Sequence, residues 1–85
     1  MQDVDWSEEM SGGLRRIVSL RPSGYEARIV VAGNNVSARL GKPEEDKDTF
    51  AVPPHSVPPT EIEPTVERLK AEIEEQLAVL ESGHS

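Results

Sequence analysis

A chain of 85 residues with no cysteine and a net charge of −7 has room for one modest domain and none for disulfides, thiolate metal centres or a cysteine nucleophile. Its 24 large apolar residues suffice for one small core, and no apolar run approaches the roughly 18 residues of a membrane span. The acidic start, MQDVDWSEEM, lacks the basic region and apolar stretch of a secretory signal. With no disulfides to support a secreted fold, a cytoplasmic location is the expectation.

The charge is unevenly laid out. Residues 1–12 carry four acids and no base. Residues 13–42 carry five arginines and Lys42 against one glutamate. Residues 43–63 carry six acids against Lys47, and residues 64–85 five acids against Arg68 and Lys70. A basic middle stands between acidic flanks.

The acidic arm, 1–12, has no clear period. Trp6 and Met10 are spaced for one side of a helical turn, while Val4 and Trp6 are spaced for one face of a strand. The pattern does not choose between them. Trp6 is the only tryptophan. It suits a core plug better than an interface anchor, the second use of such a residue.

The basic segment, 13–42, reads as a β-meander. LRRIVSLR, YEARIVVA and NVSARL are rich in β-branched residues with imperfect two-residue alternation. Tyr25, Ala27, Ile29 and Val31 share one face of the second run, and Val36, Ala38 and Leu40 one face of the third. In the first run, Val18 and Leu20 are the expected inward pair. Pro22 and Gly24 in RPSGY, and Gly33, Asn34 and Asn35 in AGNNV, supply turn chemistry.

The segment 43–61 is acidic and proline-rich. Its apolar patch, TFAV at 49–52, offers a fourth strand at the sheet edge. VPPHSVPP at 52–59 places four prolines in eight residues. Such a stretch prefers polyproline II. No two of its prolines are three apart, so the spacing common among proline-reading domains is missing. At about 3.1 Å per residue it spans roughly 25 Å, enough to carry the chain across a three-stranded sheet. A stiff spacer is the expected role.

The segment 62–82 reads as an amphipathic helix. Ile62, Val66, Leu69, Ile73, Leu77 and Leu80 recur with a mean period of about 3.6, the spacing of a helix lying on a sheet rather than a heptad seam. Pro64 suits a first helical position, with Glu63 near the positive end of the dipole. Ser82-Gly83 marks the end.

These elements predict an α+β fold: a three-stranded antiparallel meander, with 49–52 available as a fourth strand, and one C-terminal helix packed on one face. On the expected phase, Arg15, Arg21, Arg28 and Arg39 point away from the helix, among Ile17, Ser19, Val30 and Ser37. Four guanidinium groups on one sheet face are suited to phosphate. They are equally suited to the chain's own acids, and the overall acidity favours the latter.

Other chemistry is thinly represented. The acidic run PEEDKD at 43–48 lacks the ligand spacing and central glycine of an EF-hand. Glu67, Glu74, Glu75 and Glu81 on the helix, together with that run, are of the kind that mimics a phosphate track. His55 and His84 have no partner at metal-ligand spacing. No nucleophile elbow or glycine-rich phosphate loop follows a strand. Catalysis, a metal and a cofactor are therefore not expected. The expected function is non-catalytic protein binding through a charge-divided surface, by a small adaptor, inhibitor or assembly subunit. The partner is another protein or a second copy in a homodimer, with no membrane involved. The candidate contact residues are Arg15, Arg21, Arg28, Arg39 and Trp6. The alternative is a nucleic-acid role, through the arginine face or by acidic mimicry.

Overall fold

The computed structural model describes residues 5–43 and 48–82. Five strands follow one another, β1 (Ser7–Ser11), β2 (Leu14–Leu20), β3 (Glu26–Ala32), β4 (Asn35–Gly41) and β5 (Asp48–Ser56). A 3₁₀ turn (Pro59–Glu61) then leads into the helix α1 (Ile62–Glu81). The strands form one antiparallel sheet in the order β1-β2-β3-β4-β5. The α+β class and the helix agree with the sequence; the sheet has five strands where three or four are predicted.

The strand beyond those is β1. It pairs with β2 from Ser7↔Val18 to Ser11↔Leu14, which leaves Gly12 and Gly13 as a two-residue turn. Both have positive φ, +56° and +83°, as the twist-matched hairpin turn requires. The turn between β3 and β4 needs it only once, at Gly33 (φ +62°).

The fourth strand offered at 49–52 is present at the sheet edge as β5, and it takes in much of the proline stretch. β5 reaches Ser56, so Val52-Pro53-Pro54-His55-Ser56 lies in an edge strand rather than in a spacer crossing the sheet. Between the pairs Val36↔His55 and Ala38↔Val52, the two prolines oppose the single residue Ser37. That bulge is where a strand tolerates residues with no N–H to give, and on an edge no further strand asks for one. The Val57 N–H donates to the Asn34 carbonyl at 2.9 Å and carries the pairing one step further. The 3₁₀ turn then reverses the chain.

The helix lies over β3 and β4. Val66, Leu69, Ile73 and Leu77 are buried, and Ile62 and Leu80 pack at the ends of the same stripe, as the periodicity predicts. The helix begins earlier than the proline suggests. Ile62 is its first residue and Pro64 its third, where the missing N–H is still among the unpaired donors of the first turn. Beneath the helix lie Ile17, Ala27, Ile29, Val31, Val36, Ala38 and Leu40. Each large aliphatic side chain so buried contributes about 1.5–3 kcal/mol.

Strand β2 has the opposite phase to the predicted one. Ile17, paired with Ile29, and Ser19, paired with Ala27, face the helix. Val18 and Leu20 face away, and Leu20 is 74% exposed. Val4, residues 44–47, Gly83 and His84 lie outside the described residues.

Candidate interaction surface

The phase of β2 divides the predicted arginines into two pairs. Arg15 and Arg21 alternate with Ile17 and Ser19, so they stand on the helix side, contrary to the expectation. Each sits at one end of the strand, beyond the apolar centre, where a long stem can follow the core while its head meets a carboxylate.

Arg15 is held from two sides. Its Nε donates to Glu8 Oε2 of β1 at 2.7 Å, and its Nη2 donates to Glu8 Oε1 at 3.2 Å and to Glu63 Oε1 of α1 at 3.3 Å. These bonds raise the Arg15 pKa, the Glu8 bond contributing most. In return the guanidinium holds the Glu8 carboxyl below its ordinary value. At the other end, Arg21 Nε and Nη2 make a fork on Glu81 Oε2 and Oε1, both at 2.9 Å. Ser23 Oγ donates to the same carboxylate at 2.8 Å. The Arg21 bonds lower the Glu81 pKa most; burial opposes them more weakly, and the Ser23 bond adds a smaller lowering. The two side chains are only 9% and 14% exposed. Since Glu63 and Glu81 lie in the first and last turns of α1, the two arginines fasten both ends of the helix to β2.

Trp6 also turns inward. It precedes the pair Ser7↔Val18, so the register places it on the helix side opposite Ser19. It packs against the core, and its Nε1–H donates to Glu74 Oε2 of the helix at 2.9 Å. It is a core plug with a polar tether. Ser19 Oγ beneath it is buried with no hydrogen-bond partner among the described residues.

Arg28 and Arg39 stand on the other face, as predicted, and the register sets them directly opposite each other on β3 and β4. Arg28 Nη2 donates to Glu26 Oε2 at 2.8 Å, on the same strand and face. The sequence reading missed Arg16. It is exposed on this face, across from Glu9 on β1 and Val30 on β3. Leu14, Val18, Leu20 and Val30 also line it, with Ala32, Ser37 and Ala51 between them. Leu14, Arg16, Val18 and Leu20 form one alternating set, but the set on the other phase, Arg15, Ile17, Ser19 and Arg21, carries even more arginine, so no local signal marked Arg16 as outward. Nothing among the described residues covers this face.

The geometry therefore offers one uncovered sheet face, part apolar and part guanidinium. Among the described residues no group of three or more His, Asp or Glu side chains is placed to hold a metal ion, and no helix is long and apolar enough to cross a membrane. Compared with known proteins, the chain matches no family model, no curated protein and no solved structure.

Proposed function

We propose that this protein is a non-catalytic protein-binding module, and that its contact surface is the uncovered sheet face. The observation that carries the reading is the make-up of that face. Leu14, Val18, Leu20 and Val30 surround Arg16, Arg28 and Arg39 on a rigid paired backbone. Exposed leucine beside arginine is costly to keep wet and suited to a desolvated contact, and arginine is enriched among the residues that dominate interfaces. The matching partner is a protein that presents carboxylates between apolar side chains.

Nucleic acid fits the surface less well. Arg15 and Arg21 are occupied by Glu8, Glu63 and Glu81, which halves the predicted basic patch. A net charge of −7 repels a polyanion at long range. Mimicry of nucleic acid by the helix has two of its four carboxylates, Glu74 and Glu81, held in bonds to Trp6 and Arg21.

The test compares wild-type protein with the Arg28→Gln/Arg39→Gln variant as baits in a pull-down from native host extract. A protein retained by the first and lost from the second is then produced and titrated by calorimetry, with a loss in affinity of about tenfold or more expected for the variant. If the proteins retained are the same for both baits, the outer face is not the contact surface. Binding of single- or double-stranded DNA or RNA at about 50 mM salt, abolished by the same variant, would decide for a nucleic-acid interface instead.

A further inference from the structure

We infer that one partner of the outer sheet face is the exposed ridge of α1 on a second copy of the chain, so that copies stack head to tail. The inference rests on the reading of the outer face as a protein contact and names one occupant for it.

The ridge is Glu67, Ala71, Glu75 and Ala78, all exposed and spaced by four, four and three residues. That spacing puts them on one line of the helix, turned away from the buried stripe of Val66, Leu69, Ile73 and Leu77. Two carboxylates are separated by a small side chain, and Val79, 68% exposed, flanks the line. At 1.5 Å per residue, the Glu67 and Glu75 backbones are about 12 Å apart.

The sheet offers the complement at the same spacing. Arg16 and Arg39 are two strands apart and displaced by two residues along the strand, because Arg39 shares its row with Arg28 and Val18. With strands about 4.8 Å apart and about 3.3 Å per residue, the diagonal is also about 12 Å. Arg28 falls between them, where the ridge has only Ala71. Arginines already engaged elsewhere are not barred from this contact. Arg15 in this same molecule takes two carboxylates at once, from Glu8 and Glu63.

The charges also disfavour the symmetrical alternative. Two outer faces packed back to back across a two-fold axis set Arg16, Arg28 and Arg39 against the same three arginines, with Glu9 and Glu26 as the described carboxylates of that face to offset them, which costs binding. The ridge and the outer face lie on opposite sides of the molecule, so one pair of copies cannot make both contacts reciprocally. The contact is heterologous, and unless it closes into a ring it extends into open chains.

Sedimentation velocity over a range of protein concentrations tests this at near-physiological salt, where repulsion between net charges beyond roughly 8 Å is screened. Wild-type protein is expected to grow past the dimer as concentration rises. Glu67→Gln/Glu75→Gln and Arg16→Gln/Arg39→Gln, folded by circular dichroism, are each expected to weaken association about tenfold or more. Mixed together, they are expected to form a one-to-one dimer that does not grow, since each retains the surface the other has lost. A wild-type protein that stays monomeric overturns the inference. So does association that the helix variant leaves intact, because that is a sheet-to-sheet dimer. A monomeric chain that still captures a different protein through Arg28 and Arg39 leaves the protein-binding reading standing and removes only the self-association.

Discussion

On the helix side of β2, Arg15 and Arg21 are closed in by carboxylates from β1 and α1. On the other side of the same sheet, Arg28 and Arg39 stand opposite each other at the surface. The difference is one of covering, since both pairs sit on strands of similar composition. Where a helix covers the sheet, an arginine persists only with a carboxylate fastened to it, because a desolvated charge without one is expensive. Where nothing among the described residues covers the sheet, Arg28 keeps its bond to Glu26 and still faces a like charge across the strand pair, which water helps to screen. The inner face thus fixes the fold, and on the reading proposed above the outer face is left for contact.

The widest gap between the two faces is expected in the apolar residues. Ile73 is fully buried against the sheet, so Ile73→Ala should cost about 2–5 kcal/mol in urea unfolding, a large part of the stability of a domain this small. Leu20→Ala on the outer face should change stability by no more than about 0.5 kcal/mol. Comparable losses at the two positions would mean that the outer face is also packed in solution, and the comparison drawn above would fail.

The ion pairs come next. Arg21→Ala removes both prongs of the fork on Glu81 and should cost about 1–2 kcal/mol, more than an exposed pair because the two side chains are largely shielded from water. The pH dependence follows from the lowered Glu81 carboxyl. A carboxyl whose folded pKa lies below its unfolded one adds stability above the unfolded value, near 4.5. That stability is lost as pH falls from there through the lower folded value. Wild-type protein should therefore lose stability on acidification more steeply than Glu81→Gln, which has no such group to protonate. Parallel acid profiles for the two would show that the fork contributes nothing.

Ser19 sharpens the comparison in the opposite direction. Its hydroxyl is on the covered face with no hydrogen-bond partner among the described residues, and such a group costs free energy that an apolar side chain of similar size does not. Ser19→Ala should leave the fold unchanged or raise its stability by up to about 1 kcal/mol. A loss instead would mean that the hydroxyl is satisfied in solution.

How much of this was legible follows from the same contrast. The helix stripe from Ile62 to Leu80 and the inward sets of β3 and β4 were readable, because there the apolar residues fall on one face and the polar residues on the other. Strand β2 was not. LRRIVSL offers Leu14, Val18 and Leu20 on one phase and Ile17 alone on the other, so counting apolar residues favours the wrong face. The phase is set from outside the strand, by the pairing of Ile17 with Ile29 and by the carboxylates that await Arg15 and Arg21 on the helix. Two of the five proposed contact residues, Arg15 and Arg21, changed sides with it. Strand β1 was missed although Gly12-Gly13 is a hairpin signal in its own right, because SEEMS has no apolar alternation to be paired with it. The edge position of β5 accounts for the prolines, but an edge is a property of the whole sheet and no local stretch records it.

The smallest effect is expected on the outer face itself, at Arg28. Its attraction to Glu26 and its repulsion from Arg39 across the strand pair are of similar size, each a fraction of a kcal/mol at an exposed site. Arg28→Gln removes both together and should shift stability by no more than about 0.5 kcal/mol in either direction. Added salt screens the attraction and the repulsion alike, so the shift should stay small across ionic strengths. That outcome is what the proposed reading of this face as a contact surface requires. If Arg28→Gln instead destabilises as much as Arg21→Ala, its guanidinium belongs to the structural set, and the division between a face that holds the fold and a face that meets partners does not exist in this protein.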